Sequence, residues 1–183
     1  QLDVKPGEGT SSENITELWV YLDEQPLGVF ATPALIPIVH EGSGKIKIFA
    51  GIKNNGISDT RIRYPFFHSF DTSLVFSELS YDTIVPQFEY ESSCVIEELG
   101  FESGNFLVEL SGNAGVFSAT TDPNIVFEGN RSGMGILSSG LSKIYFKDDA
   151  NRTFVSGEMN FLEMNYSCNN KMSVGLLVTE ASG

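Results

Sequence analysis

Histidine, cysteine and tryptophan are almost absent from this chain: it holds two, two and one of them in 183 residues. His40 and His68 show no HxH or HExxH spacing, so a histidine-based metal site has no support. A Ser-His-Asp triad would have to use one of these two imidazoles, and neither comes with a G-x-S-x-G elbow. Both read as structural or surface residues. Cys94 and Cys168 stand far apart without a CxxC, which argues against a zinc knuckle or a thioredoxin-type motif. Two buried thiols and one long-range disulfide both stay open. Cations are also scarce, at 11 Lys+Arg against 24 Asp+Glu, for a net charge of −13. Affinity for phosphate backbones and anionic lipid comes largely from Lys and Arg, so nucleic acid is not an expected partner. No apolar run reaches 18 residues, and no transmembrane segment is expected.

The few cations are clustered. Lys45, Lys47, Lys53, Arg61 and Arg63 supply five of the eleven within one short segment. "KIKIF" and "TRIRY" alternate charged and apolar residues, as solvated strand faces do. A basic patch for an acidic glycan or a partner protein fits the same residues.

Helical periodicity is missing too. No stretch sustains apolar residues at i, i+3, i+4 and i+7, whereas short runs of period two recur along the chain. Among them are "ITELWVYL", "KIKIF", "TSLVF", "FLVEL", "MNFLEMNY" and "MSVGLLV", separated by Gly, Asn, Asp and Pro clusters. Strands at this spacing predict an all-β protein made of sandwiches or barrels. Composition shifts divide it. Residues 1–12 read as a polar linker left after removal of something upstream. Residues 13–82 read as a small β-sandwich, a break falls near 80–88, and 86–183 read as a second β-sandwich, jelly-roll-like and open to truncation. That second block offers about eight strand candidates.

In "WVYLDEQPLGVFATPALIPI" (19–38) the expected bend is Gln25-Pro26-Leu27-Gly28, where Pro presets φ and Gly accepts a positive φ. A strand bearing V-x-L-D, a glycine turn, a T-P pair and a "GKIKIF" strand follow one another. This order resembles PEGA-like β-sandwich modules of bacterial envelope proteins. Val20, Leu22 and Asp23 match one part of the motif, and Gly28, Thr32 and Pro33 the other. Glu24 departs, since the family favours Gly there, and the basic strand lacks the usual His. With its continuation, the chain is similar to uncharacterised two-domain surface lipoproteins of Bacteroidetes-type bacteria. The resemblance implies export to the periplasm or outer-membrane surface of a Gram-negative cell, a lipid anchor upstream, and a scaffold role for the opening stretch.

Candidate chemistry is sparse. Glu97-Glu98 and Asp148-Asp149 are paired carboxylates, but adjacent residues of a strand point to opposite faces and do not make a glycosidase pair. "KDDANRT" offers Asp148, Asp149 and Asn151 as oxygen ligands, yet lacks the Gly and distal Glu of a calcium loop and reads as a hairpin turn. Gly133-Met134-Gly135 is an isolated G-x-G without a following helix. Four glycosylation sequons begin at Asn14, Asn130, Asn151 and Asn165. The densest aromatic cluster is Tyr64, Phe66, Phe67 and Phe70 around Pro65, with His68. It reads either as inter-domain packing or as a platform for sugar rings, with Tyr64, Phe66, Phe67 and His68 as ligand-binding residues. No enzyme, cofactor or metal is expected. The expected function is a non-catalytic binding module of the bacterial envelope, for carbohydrate or an envelope protein. The alternatives are an adhesion scaffold that binds protein through a sheet edge, and a glycoside hydrolase whose carboxylate pair is unidentified.

Overall fold

A computed structural model describes residues 1–110, 115–138, 140, 143–148 and 150–178. The protein is all-β, with no α-helix among the described residues. It divides into two compact units, Gln1–Glu98 and Leu99–Gly183.

The first unit is built on β3 (Gly42–Lys53), twelve residues long. One edge of β3 pairs antiparallel with β1 (Glu17–Leu22), which pairs on its far side with β2 (Gln25–Ala31). The other edge carries two short strands end to end, β4 (Arg61–Arg63) and β5 (Phe70–Phe76). Period-two patterning decides which way each side chain points. Val20 and Leu22 of β1 share a face with Ile46, Ile48 and Ala50 of β3, and these join Leu2, Tyr64 and Phe88 as the buried apolar residues of the unit. The segments bearing the last three are tied together by backbone. Asp3 N–H donates to the Phe88 carbonyl at 2.8 Å, and His68 N–H to that of Glu89 at 2.9 Å. Leu2 therefore runs parallel to Phe88, and Phe67 antiparallel to Tyr90.

Two expectations change here. Residues 1–12 are not a free linker, because Leu2 is buried and paired with Phe88. The division between units also falls after Glu98 rather than at 80–88. Residues 77–87 are largely exposed, which accounts for their linker-like composition, but the chain then returns to the first unit and buries Phe88 to 1% exposure.

The hairpin turn also lies elsewhere. Asp23 and Glu24 form the loop with positive φ of 47° and 63°, the backbone twist that two-residue hairpins favour. Asp23 is held in place from β3: its N–H donates to the Lys45 carbonyl at 2.9 Å, and its Oδ1 accepts from Lys45 N–H at 2.8 Å. Pro26 lies within β2, where the pairing skips Leu27 opposite Val20 and Tyr21. Such a bulge on an edge strand tolerates a residue without N–H.

The second unit pairs β6 (Leu107–Glu109) with β9 (Phe146–Asp148), and β7 (Val116–Thr120) with β8 (Ser132–Ile136). Phe101, Phe106, Phe117 and Phe146 form a ring cluster with centroids 4.6–5.8 Å apart. Gly133 lets Phe101 come close, since a Cβ there would lie 2.3 Å from the ring; this explains a glycine of the isolated G-x-G, which sits inside β8. Glu102 holds the loop before β8. Its Oε1 accepts from the N–H of Asn130 at 2.8 Å and of Arg131 at 3.0 Å, and its Oε2 from Asn130 Nδ2 at 3.2 Å. Among the described residues of this unit, four strands stand where about eight were expected. "MNFLEMNY" and "MSVGLLV" join no ladder among the described residues, and Leu162, Met164, Tyr166, Val174 and Leu176 remain exposed. Local β pattern without a pairing partner does not make a strand.

Candidate functional site

The face of the first unit's sheet opposite its core is built from the other parity of the same strands. Cross-strand register sets out its rows. Trp19 stands between Val29 and Phe49, and Tyr21 lies beside Lys47, which in turn pairs with Asp71. Glu17 lies opposite Gly51, Gly51 opposite Arg63, and Lys53 opposite Arg61. Three aromatic rings, Trp19, Tyr21 and Phe49, thus share one half-exposed face with all five clustered cations.

Gly51 makes this arrangement possible. A Cβ there would lie 2.5 Å from Glu17 Cγ and 3.0 Å from Trp19 Nε1, so the missing side chain leaves room for both neighbours. Glu17 is 2% exposed, and its Oε2 meets Arg61 Nη1 at 3.2 Å. Glu17 Oε1 and the Trp19 indole nitrogen are buried without a hydrogen-bond partner among the described residues. Tyr21 packs edge-on to Phe49 with centroids 5.7 Å apart. The Arg63 guanidinium lies over Phe49 at 4.7 Å and near Trp19 at 5.9 Å, within range of cation–π attraction.

Two of the three lysines on this face are ion-paired in place. Lys47 Nζ bonds Glu24 at 2.9 Å, a contact that raises its pKa, and Lys45 Nζ meets Asp71 at 3.1 Å. Hydrogen bonding from Ser69, then from Lys45, holds the Asp71 carboxyl below the usual carboxylate range.

The residues expected to bind ligand do come together, in a packed arrangement. Tyr64 is buried, and its ring lies 4.3 Å from that of Phe67 and 5.5 Å from that of Phe66. Phe67 stacks toward Phe88 at 6.1 Å and meets Tyr90 edge-on at 4.9 Å. His68 is exposed, with Nδ1 3.1 Å from Glu91 Oε1. The aromatic density around Pro65 thus packs within the first unit, against the returning segment 88–91.

Other sequence candidates stay apart. Glu97 and Glu98 are exposed at the end of the first unit. Asp148 pairs with Arg152 and accepts from Ala150 N–H, while Asp149 lies outside the described residues. Cys94 and Cys168 are both unbonded thiols. Cys94 is half-buried and Cys168 is exposed, so neither a pair of buried thiols nor a disulfide is present.

Trp19, Tyr21 and Phe49 were legible as odd-numbered partners of a period-two pattern, but only register shows that they share a face with Arg63. No family model, curated protein or solved structure matches the chain.

Proposed function

We propose that this chain is a non-catalytic carbohydrate-binding module of an exported bacterial envelope protein, and that it binds through the sheet face of Trp19, Tyr21 and Phe49. The observation that carries this reading is the half-exposed aromatic group framed by side chains already fixed by ion pairs. Sugar rings stack their apolar faces on aromatic rings, while neighbouring polar groups set orientation. The acids of the face support binding over hydrolysis, because Glu17, Glu24 and Asp71 are each held by a cation instead of standing as an unequal pair across a cleft. Location at the envelope rests on the PEGA-like resemblance of residues 20–33.

The adhesion-scaffold reading has one observation of its own: β2 is the end strand of its sheet. Pro26 and the bulge blunt that edge, as edge strands that avoid pairing commonly are, so the face is the better surface.

The test is a glycan panel against the whole chain and the variants Trp19→Ala, Tyr21→Ala and Phe66→Ala. Binding that is lost in the first two and kept in Phe66→Ala supports the face. Loss in Phe66→Ala alone moves the site to Tyr64, Phe66, Phe67 and His68. A blank panel rejects the carbohydrate reading and favours a protein partner.

A further inference from the structure

We infer that the ligand of this face is an acidic glycan, and that Arg63 receives its carboxylate or sulfate group. The inference rests on the sheet-face reading above. The first unit holds six cations against 15 acids, and five of the six lie on this one face. Three of those five are occupied: Lys45 by Asp71, Lys47 by Glu24 and Arg61 by Glu17. Lys53 and Arg63 have no acidic partner among the described residues.

Arg63 is the better placed of the two. Its guanidinium sits over the Phe49 ring and within reach of Trp19, so the side chain is held by contacts that use no hydrogen-bond donor. The five N–H groups of a guanidinium are thereby left for an external acceptor, and their fork matches carboxylate and sulfate oxygens two at a time. Stacking also reduces the rotamer freedom that an exposed arginine would lose on binding. Trp19 and Tyr21 lie on the same face, so a sugar ring resting there brings its anionic substituent toward Arg63.

Net charge makes this patch selective. A chain of net charge −13 repels polyanions at long range. At physiological salt the screening length is about 8 Å, so a local excess of cations still governs contact. Anionic sugars then have one preferred landing surface on the first unit, and affinity for them falls with added salt.

The experiment titrates the whole chain with four probes: an oligogalacturonate, its methyl ester, a sulfated galactan oligomer and the neutral galactan. The expected result is binding of one or both acidic probes roughly tenfold or more above the uncharged counterpart, the range of a charge-assisted hydrogen bond. Comparing the uronate with the sulfate arm tells which anion is meant. Arg63→Gln should bring acidic and uncharged probes to equal affinity, and Arg63→Lys should restore only part, since an ammonium lacks the planar fork. Because Arg63 is exposed, both variants should melt near wild type, which separates lost contact from lost fold. Equal binding of charged and uncharged probes, lost in Trp19→Ala, overturns the acidic ligand and leaves the carbohydrate reading intact. Acidic binding unaffected by Arg63→Gln overturns the role of Arg63. A blank result with all four probes rejects both.

Discussion

Glu17 and Arg61 lie on strands flanking opposite edges of β3, yet their side chains meet at 3.2 Å over it. Gly51 leaves Glu17 the space to settle there, since a Cβ at Gly51 would fall 2.5 Å from Glu17 Cγ. Gly51→Ala should therefore destabilise the first unit by about 1–3 kcal/mol, the range of overpacking, as read by urea denaturation. Arg61→Ala strands a buried carboxylate and should cost roughly 1–3 kcal/mol. Adding Glu17→Gln to Arg61→Ala should recover part of that loss. An additive double-mutant cycle would show that the pair contributes nothing as a pair.

The division after Glu98 makes a prediction about fragments. Residues 1–98 should unfold cooperatively on their own, whereas 1–82 lack Phe88 and the partner of Leu2 and should not. In the whole chain Phe88→Ala should cost about 3–5 kcal/mol, as for a buried Phe. Circular dichroism melts of both fragments decide it. A cooperative 1–82 fragment would put the boundary back at 80–88.

Acid should weaken both units through identified carboxylates. Hydrogen bonds from Ser69 and Lys45 lower the folded-state pKa of Asp71, and those from Asn130 lower that of Glu102. A depressed folded value gives stability that is present above the unfolded values, about 3.9 for Asp and 4.3 for Glu. It is lost as pH falls through the folded values. Asp71→Asn and Glu102→Gln should each flatten the decline of the denaturation midpoint below about pH 4. An unchanged acid slope in both would mean that these contacts do not persist in solution.

The two thiols should react in a fixed order. Burial, then the charge of Glu91, raises the Cys94 thiol above its ordinary pKa, and only the thiolate is the nucleophile. Cys168 is exposed and should be labelled first by a thiol reagent under native conditions. Simultaneous labelling of both would point to opening of the first unit.

Much of the first unit was readable from side-chain period. "KIKIFA" predicts Ile46 and Ile48 on one face and Lys45 and Lys47 on the other, and β3 carries them so. The turn was misplaced because Pro26 and Gly28 are the usual signals, whereas Asp23 takes its positive φ with help from Lys45, 22 residues away. The packing of Tyr64 and Phe67 against Phe88 and Tyr90 was hidden for the same reason, as it depends on a segment that returns after an exposed stretch. In the second unit, "MNFLEMNY" had the pattern of a strand, but pairing is a property of two segments. The proposed binding face is the mixed case: its parity was local, while the meeting of Arg63 with Phe49 required register.

The length of β3 bears on how such a protein adapts. Its even positions are committed to the interior and its odd positions to the exterior, along nearly the whole strand. Single substitutions at Lys45, Lys47 or Phe49 can therefore change the chemistry of the exterior without disturbing Ile46, Ile48 or Ala50. One inserted residue would do the opposite, turning isoleucines outward and lysines inward across three pairings at once. The fold thus accepts change at the outward positions of β3 one residue at a time, but β3 must keep its residue count.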